Sequence, residues 1–374
     1  MGSNPIGHSF KRDYGIEILP KISIIIAAYN VEKYLPKCLD SVCLQTLKDI
    51  EIICINDGSK DKSLDILNEY AQKDSRIKVI NQNNSGVATA RNVGLANATG
   101  EYVQFIDGDD WVNLNLCEKV YNIAENNNSD IVMFNVAFYD NKKQQVTKGR
   151  FFTTTVWNNH VDENTAHTYK DCKTIFYGNL SAANKLYRKS FLDALEVKFP
   201  ENVRFEDHLF HLETIFSAEK VNILDEQLYY YRQNRKNSMM TTLKTTKVVM
   251  DIFPIVDLVE EMLKRINKYE RNKYLFFQFK YEALAHYFMS INFFSKPYYF
   301  AKMKTEFEKL LVGDFDFGIC KTMSNYYNFT DVLNYNWFSC YVLKKVLDKP
   351  NKEYRKKFEP FKKAIESGFS KVEL

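Results

Sequence analysis

The run Ile22-Ser23-Ile24-Ile25-Ile26-Ala27-Ala28 is short, apolar and rich in β-branched residues, the pattern of a strand buried on both faces. Reading outward from it, Asn30 can cap a helix through about Gln45, with Tyr34, Leu35, Cys38, Leu39, Val42 and Cys43 on one face. Ile50 to Ile55 is a second strand, and Ser59 to Lys73 a second helix with Leu64, Leu67 and Ala71 as its apolar stripe. Ile77 to Ile80, Val87 to Asn97 and Tyr102 to Ile106 continue as strand, helix and strand. Alternation with short loops predicts an α/β fold, a mostly parallel sheet flanked by helices. Such sheets bind ligands beyond the carboxyl ends of their strands. The segments that carry function are therefore Ala28 to Glu32, Asn56 to Asp61, Asn81 to Gly86 and Asp107 to Trp111.

The fourth strand delivers three carboxylates into one turn, Asp107-Gly108-Asp109-Asp110. Their charges raise one another's pKa unless a cation lies among them. A hard divalent ion, Mn²⁺ or Mg²⁺, removes that cost with one or two carboxylates plus phosphate oxygens. The plain alternative is a polar turn capping a helix from Trp111. An EF-hand does not fit, because Trp111 stands where an oxygen ligand belongs and Val112 where the glycine belongs. Asp57 closes the second strand and can accept hydrogen bonds from a base or ribose; alone, Asp57-Gly58 reads as a turn. Tyr29 can flank a flat ring. Asn84 and Gly86 precede the helix carrying Arg91, whose N-terminus suits a phosphate. The same residues read equally well as a turn and cap. No G-x-G-x-x-G follows the first strand and no Walker lysine loop occurs, which removes support for dinucleotide and ATP-hydrolysing readings.

Among the 374 residues, 51 basic and 47 acidic side chains leave a net charge of +4, too small to make nucleic acid the main partner. Seven scattered cysteines form no CxxC pair, so free thiols are expected rather than a zinc site or disulfide framework. Met1 to Pro20 lacks an apolar signal core and reads as a leader or tag remnant. Farther on, a helix from about Asn113 to Asn126 and a strand Ile131 to Tyr139 are expected, then a polar hairpin or excursion over Lys142 to Lys170. Leu180 to Leu195 and His208 to Ala218 read as helices, and Val221 to Arg232 as extended chain. A boundary near Thr241 to Thr246 divides a first domain, 21–245, from a mainly helical C-terminal region, 246–374.

Ile24 to Asn30, Ser41 to Thr46, Glu51 to Ser59, Gly86 to Leu95 and Phe105 to Asp110 together resemble glycosyltransferase family 2, densely over 21–112. The resemblance implies a GT-A, Rossmann-like fold with a nucleotide-sugar half, 21–112, and an acceptor half, 113–245. It implies an inverting hexosyl- or N-acetylhexosaminyltransferase using a UDP-sugar and Mn²⁺ or Mg²⁺. Asn56 departs from the family's usual second Asp, while Asp57 matches the position that binds uracil. By the same resemblance Ala28, Tyr29, Asn30, Glu32, Asp57, Asn84, Gly86, Arg91, Asp107 and Gly108 line the donor, and Asp107, Asp109 and Asp110 include the metal ligands. Asp207, beside Glu206, is the expected base, kept ionised by its helix N-terminus. Asn184 and Lys185 resemble an element bordering the acceptor site, and Arg235 and Ser238 resemble diphosphate ligands.

The expected function is sugar transfer to a hydroxyl of a glycan or lipid-linked acceptor, in bacterial lipooligosaccharide, capsule or wall-polymer synthesis. A polysaccharide synthase and a non-catalytic nucleotide-sugar-binding protein are the rivals. From Tyr341 to Leu374 ten basic and five acidic residues give +5, and aromatics crowd Tyr274 to Phe294. Two readings follow for this region: peripheral contact with the anionic inner face of the plasma membrane, or a bundle packing its aromatics inward.

Overall fold

The computed structural model describes residues 10–11, 17–148, 164–171, 181–235 and 249–311. Two compact units divide the chain, 1–236 and 237–374; the expected boundary at Thr241 to Thr246 lies outside the described residues.

In the first unit, β1 (Ile22–Ala28), β2 (Ile50–Asp57), β3 (Ile77–Gln82) and β4 (Tyr102–Asp107) alternate with α1 (Leu35–Cys43), α2 (Ser63–Lys73) and α3 (Val87–Ala96). They are followed by β5 (Trp111–Val112), α4 (Leu116–Asn127), β6 (Ile131–Asp140), β7 (Gln145–Lys148), β8 (Lys185–Arg188), α5 (Lys189–Leu195), α6 (Glu206–Ser217) and β9 (Val221–Gln233). Among the described residues these strands form one sheet in the order β3-β2-β1-β4-β8-β6-β9-β5, with β7 against β6. The first four strands are parallel, as the alternation requires. Beyond β4 the sheet is mixed: β8 runs antiparallel to both its neighbours, and β9 lies parallel to β6.

Successive residues of β1 point to opposite faces. Ile22, Ile24 and Ile26 join the core under α1 and α4. Ile25 faces α3, where a Cβ on Gly94 would come within 2.3 Å of Ile25 Cγ2, so glycine there sets the helix-to-strand distance. The hairpin expected after Lys142 is present as β6–β7; residues 149–163 lie outside the described chain.

Three local expectations change. Asn30 does not cap a helix: it adopts φ 51°, and α1 begins at Leu35, with Pro36 in its first turn. Asp110 does not cap a helix from Trp111, because Trp111–Val112 is a strand paired with Tyr229 and Tyr230. The helix expected over Leu180 to Leu195 is confined to α5, and Lys185–Arg188 is a strand. The open edges of β4 and β6 need a backbone partner, and β8 supplies it. Four described thiols, Cys38, Cys43, Cys54 and Cys117, are free.

The second unit contains α7 (Ile252–Arg265), α8 (Tyr269–Ser290) and α9 (Lys296–Leu311). Phe276, Phe277, Phe279, Tyr281 and Phe288 turn inward, and a buried Lys280–Glu306 ion pair at 3.0 Å joins α8 to α9. No helix among the described residues is long and apolar enough to cross a membrane.

Candidate active site

The carboxyl ends of β1 and β2 are laced together. Ser59 Oγ accepts from the Asn30 N–H at 3.1 Å, Ser63 Oγ from Val31 at 2.9 Å, and Asp61 from Glu32 at 3.0 Å. In return Asn30 Oδ1 accepts from the Lys60 N–H and Glu32 Oε2 from the Lys62 N–H. Ala28 is buried at the strand end, while Tyr29 stands exposed. Asp57 is buried and spends its carboxylate on the third loop: Oδ1 accepts from Gln82 Nε2 and the Ser85 N–H, and Oδ2 from the Gly86 N–H. Asn84 returns a bond to the Asp57 carbonyl. Gly58, at φ 68°, lies so close that an added Cβ would be 2.6 Å from Asn84 N. Gly86, at φ 92°, faces open space. Asp57 thus fixes the shape of this rim, a role the sequence pattern did not reveal.

The acidic turn divides by exposure. The Asp107 side chain is 30% exposed and Asp109 15%, whereas Asp110 is 1% exposed as a residue. Asp110 Oδ2 accepts from the Tyr229 hydroxyl at 2.7 Å and Oδ1 from the Arg232 N–H at 2.7 Å. Burial, then the Asp109 and Asp107 charges, push its pKa well above the carboxylate range. Burial also raises Asp109, which the adjacent Arg235 opposes through an ion pair. Asp110 is therefore a buttress beneath the turn and not an available ligand, a correction to the expected metal set. Asp107 and Asp109 fit a divalent ion. Each is paired with an arginine, Asp107 with Arg91 and Asp109 with Arg235, and both keep part of the side chain open to solvent. No group of three metal-binding side chains occurs among the described residues. Two carboxylates completed by substrate phosphates remain the ordinary arrangement for Mg²⁺.

Arg91 is the centre of the site. Its buried guanidinium reaches three carboxylates, Asp107 Oδ1 at 2.8 Å, Glu206 Oε1 at 2.8 Å and Asp207 Oδ1 at 2.7 Å. Burial works against the Arg91 charge, but Asp207, Asp107 and Glu206 outweigh it and keep it protonated. The acidic turn and the expected base thus lie on one guanidinium. Asn92, next in sequence, clamps the Phe199 backbone through both a donated and an accepted bond at 2.9 Å. Phe199 in turn stacks on Phe210 of α6 at 4.0 Å between ring centroids. That packing holds the start of α6, where Phe205 takes φ 64°, strained for a bulky side chain, directly before Glu206-Asp207. Glu206 is buried, and the Asp207 side chain is 22% exposed. Desolvation dominates over the helix N-terminus and raises Asp207 to about 7, while Arg91 pulls it down.

Asn184 and Lys185 are buried and offer no surface to an acceptor. Asn184 Nδ2 donates to the Phe134 carbonyl, and Lys185 Nζ to Asn184 Oδ1. Burial lowers the Lys185 pKa to about 7. Arg235 pairs with Asp109, and Ser238 lies outside the described residues. Two contributors escaped the sequence reading. Tyr229 bridges Asp110 and the Asp107 N–H, and Arg232 donates from Nε to the Asp109 carbonyl at 2.8 Å. Arg232 and Lys37 both lie over the Trp111 ring, which stacks on Tyr230.

Comparison with known proteins fits this geometry. The profile of Glycosyl transferase family 2 matches residues 23–195. Glycosyltransferase GlyG of Streptococcus pneumoniae is 31% identical over 255 residues, which cover 66% of this chain and 79% of GlyG. The chain belongs to glycosyltransferase family 2. The uncharacterized glycosyltransferase EpsJ of Bacillus subtilis is 38% identical over 224 residues, 58% of this chain. The match spans 62% of EpsJ, somewhat under two thirds of that relative's length. The crystal structure of S. aureus TarS 1-349 in complex with UDP-GlcNAc aligns with TM-score 0.54 at 23% identity, covering 83% of this chain and 90% of that one. At that identity the likeness establishes the GT-A fold. In this family 2 chain Asp57 and Asp107 close strands β2 and β4, Tyr29 directly follows β1, and Asp207 lies at the start of α6.

Proposed function

We propose that the protein transfers a sugar from a UDP-sugar to an acceptor hydroxyl with inversion at the anomeric carbon. The observation that carries this is the single buried guanidinium of Arg91 joining Asp107 of the acidic turn to Asp207 of α6. A donor diphosphate at the turn and an acceptor hydroxyl at Asp207 would then both lie within reach of one anomeric carbon, the proximity that displacement requires.

Asp207 accepts the acceptor's proton as its oxygen attacks the anomeric carbon and the bond to the diphosphate breaks. A pKa of about 7 suits a base working near neutrality, ionised enough to act and basic enough to take the proton. Glu206 shares Arg91 with it and balances the guanidinium charge. Asp107 and Asp109 would hold Mn²⁺ or Mg²⁺, which when bound neutralises the departing diphosphate. Tyr29 and the rim shaped by Asp57, Asn84 and Gly86 would receive the uracil and ribose, with Asn30 and Glu32 bracing the loop and Gly108 admitting close approach.

TarS, a poly(ribitol-phosphate) beta-N-acetylglucosaminyltransferase of Staphylococcus aureus, supports a UDP-sugar donor and a bacterial surface polymer as acceptor. The test is a panel of UDP- and GDP-sugars with Mn²⁺, read as slow donor hydrolysis by the wild type and by Asp207→Asn. Hydrolysis of a UDP-sugar and its loss in the variant with donor binding kept are expected. Unchanged turnover in Asp207→Asn would remove Asp207 as the base.

A further inference from the structure

The second unit presents an unusual tip. Between α8 and α9 the chain reads Ile291-Asn292-Phe293-Phe294-Ser295-Lys296-Pro297-Tyr298. Phe294 is 91% exposed, Tyr298 65% and Phe293 49%. Three large aromatic side chains within six residues are thus exposed, whereas Phe276, Phe277, Phe279, Tyr281 and Phe288 of the preceding α8 are buried.

The tip is held rigidly. Asn292 Oδ1 accepts from both the N–H and the hydroxyl of Ser295 at 3.0 Å, closing the turn. Beneath it the buried Lys296 ammonium donates to the Phe288 carbonyl, placing a cation at the carboxyl end of α8. Tyr299, directly after Tyr298, anchors its hydroxyl on the Leu284 carbonyl at 3.0 Å. Phe293 and Phe294 meet edge to face at 6.0 Å. A stable turn therefore displays these rings.

The charge around the tip has one sign. From Ala283 to Thr305 the sequence contains no Asp or Glu, and besides the buried Lys296 it carries Lys302 and Lys304 toward solvent. A second copy of the chain is a poor occupant. A two-fold contact would set Lys302 and Lys304 against their own images, and a narrow turn supplies little of the roughly 800 Å² per partner that stable dimers bury. An anionic bilayer accepts both features, taking aromatic side chains at the headgroup boundary and attracting nearby lysines.

We infer that the Phe293-Phe294-Tyr298 tip inserts into the headgroup region of an anionic membrane and attaches the protein there peripherally. This holds whatever sugar the first unit transfers. The full-length chain is tested by co-sedimentation with phosphatidylcholine vesicles, with and without phosphatidylglycerol, at low salt. The wild type partitions to the anionic vesicles, and the Phe293→Ser/Phe294→Ser variant binds them roughly tenfold more weakly or worse. Thermal melting and UDP-sugar hydrolysis in solution stay unchanged in the variant, which separates this inference from the catalytic reading. Phe294→Trp reports insertion directly, by a blue-shifted emission quenched by brominated lipids. Equal binding by wild type and double variant, or no vesicle-induced shift in the emission of Phe294→Trp, overturns the inference. So does a concentration-dependent dimer in ultracentrifugation that the double variant abolishes.

Discussion

Replacing Arg91 by Gln removes the guanidinium that is paired with Asp107, Glu206 and Asp207. Asp207 already sits at about 7 with Arg91 pulling it down. Loss of one adjacent opposite charge raises a carboxylate by about 1 to 3 units. At pH 7 a rise of one unit cuts the ionised fraction from about one half to about one tenth, and two units to about one hundredth. The rate at neutral pH then falls about fivefold to about fiftyfold from the base alone. The assay is kcat/KM against pH from about 5 to about 9.5, with circular dichroism at each point. The wild-type acid limb should centre near 7 and that of Arg91→Gln at least one unit higher, with rate recovered at alkaline pH. Arg91→Lys, which keeps the charge and loses the fork, should fall between them. A folded Arg91→Gln protein whose acid limb coincides with the wild type would refute the electrostatic account. A variant that fails to fold instead measures the structural part, about 3 to 5 kcal/mol for a broken buried pair, and Arg91→Lys then carries the test.

Asp207→Asn should abolish transfer and remove this carboxyl's share of the pH dependence of stability. The folded-state pKa of about 7 stands above the ordinary 3.8, so this carboxyl's contribution is fully present below about pH 4 and is lost as pH rises through 7. Urea titrations at pH 5 and pH 8 should show the variant gaining relative to the wild type at the higher pH, by at most about 4 kcal/mol. Chelation with EDTA should stop donor hydrolysis, and Mn²⁺ should restore it, with Asp109→Asn requiring more metal. Melting curves should move little on chelation, because Arg91, Arg235 and Tyr229 brace the turn. Gly94→Ala would drive its Cβ into Ile25 Cγ2 at 2.3 Å and should cost about 1 to 3 kcal/mol in chemical denaturation.

The β/α alternation from Ile22 to Ile106 was legible because each strand and helix carries its own periodicity, and the acidic turn and Glu206-Asp207 because their residue types are unusual at such places. What each carboxylate does was not. Asp109 and Asp110 are adjacent in sequence, yet one is partly exposed and the other lies under Tyr229 and Arg232. Asp57 looks like a free acceptor until Ser85 and Gly86 fold onto it.

By itself, then, the sequence determined the layered α/β scaffold, the strand ends that bear polar groups and the family, since all of these follow from local patterns. Only the tertiary structure decided that Lys185–Arg188 is a strand, that Arg91 gathers three carboxylates, and that Asp207 is pushed toward neutrality. Each depends on partners far along the chain: Arg91 meets Glu206 across 115 residues, and strand edges choose their neighbours by unmet backbone bonds. Burial and charge balance are properties of the assembled surroundings, which no stretch of sequence carries alone.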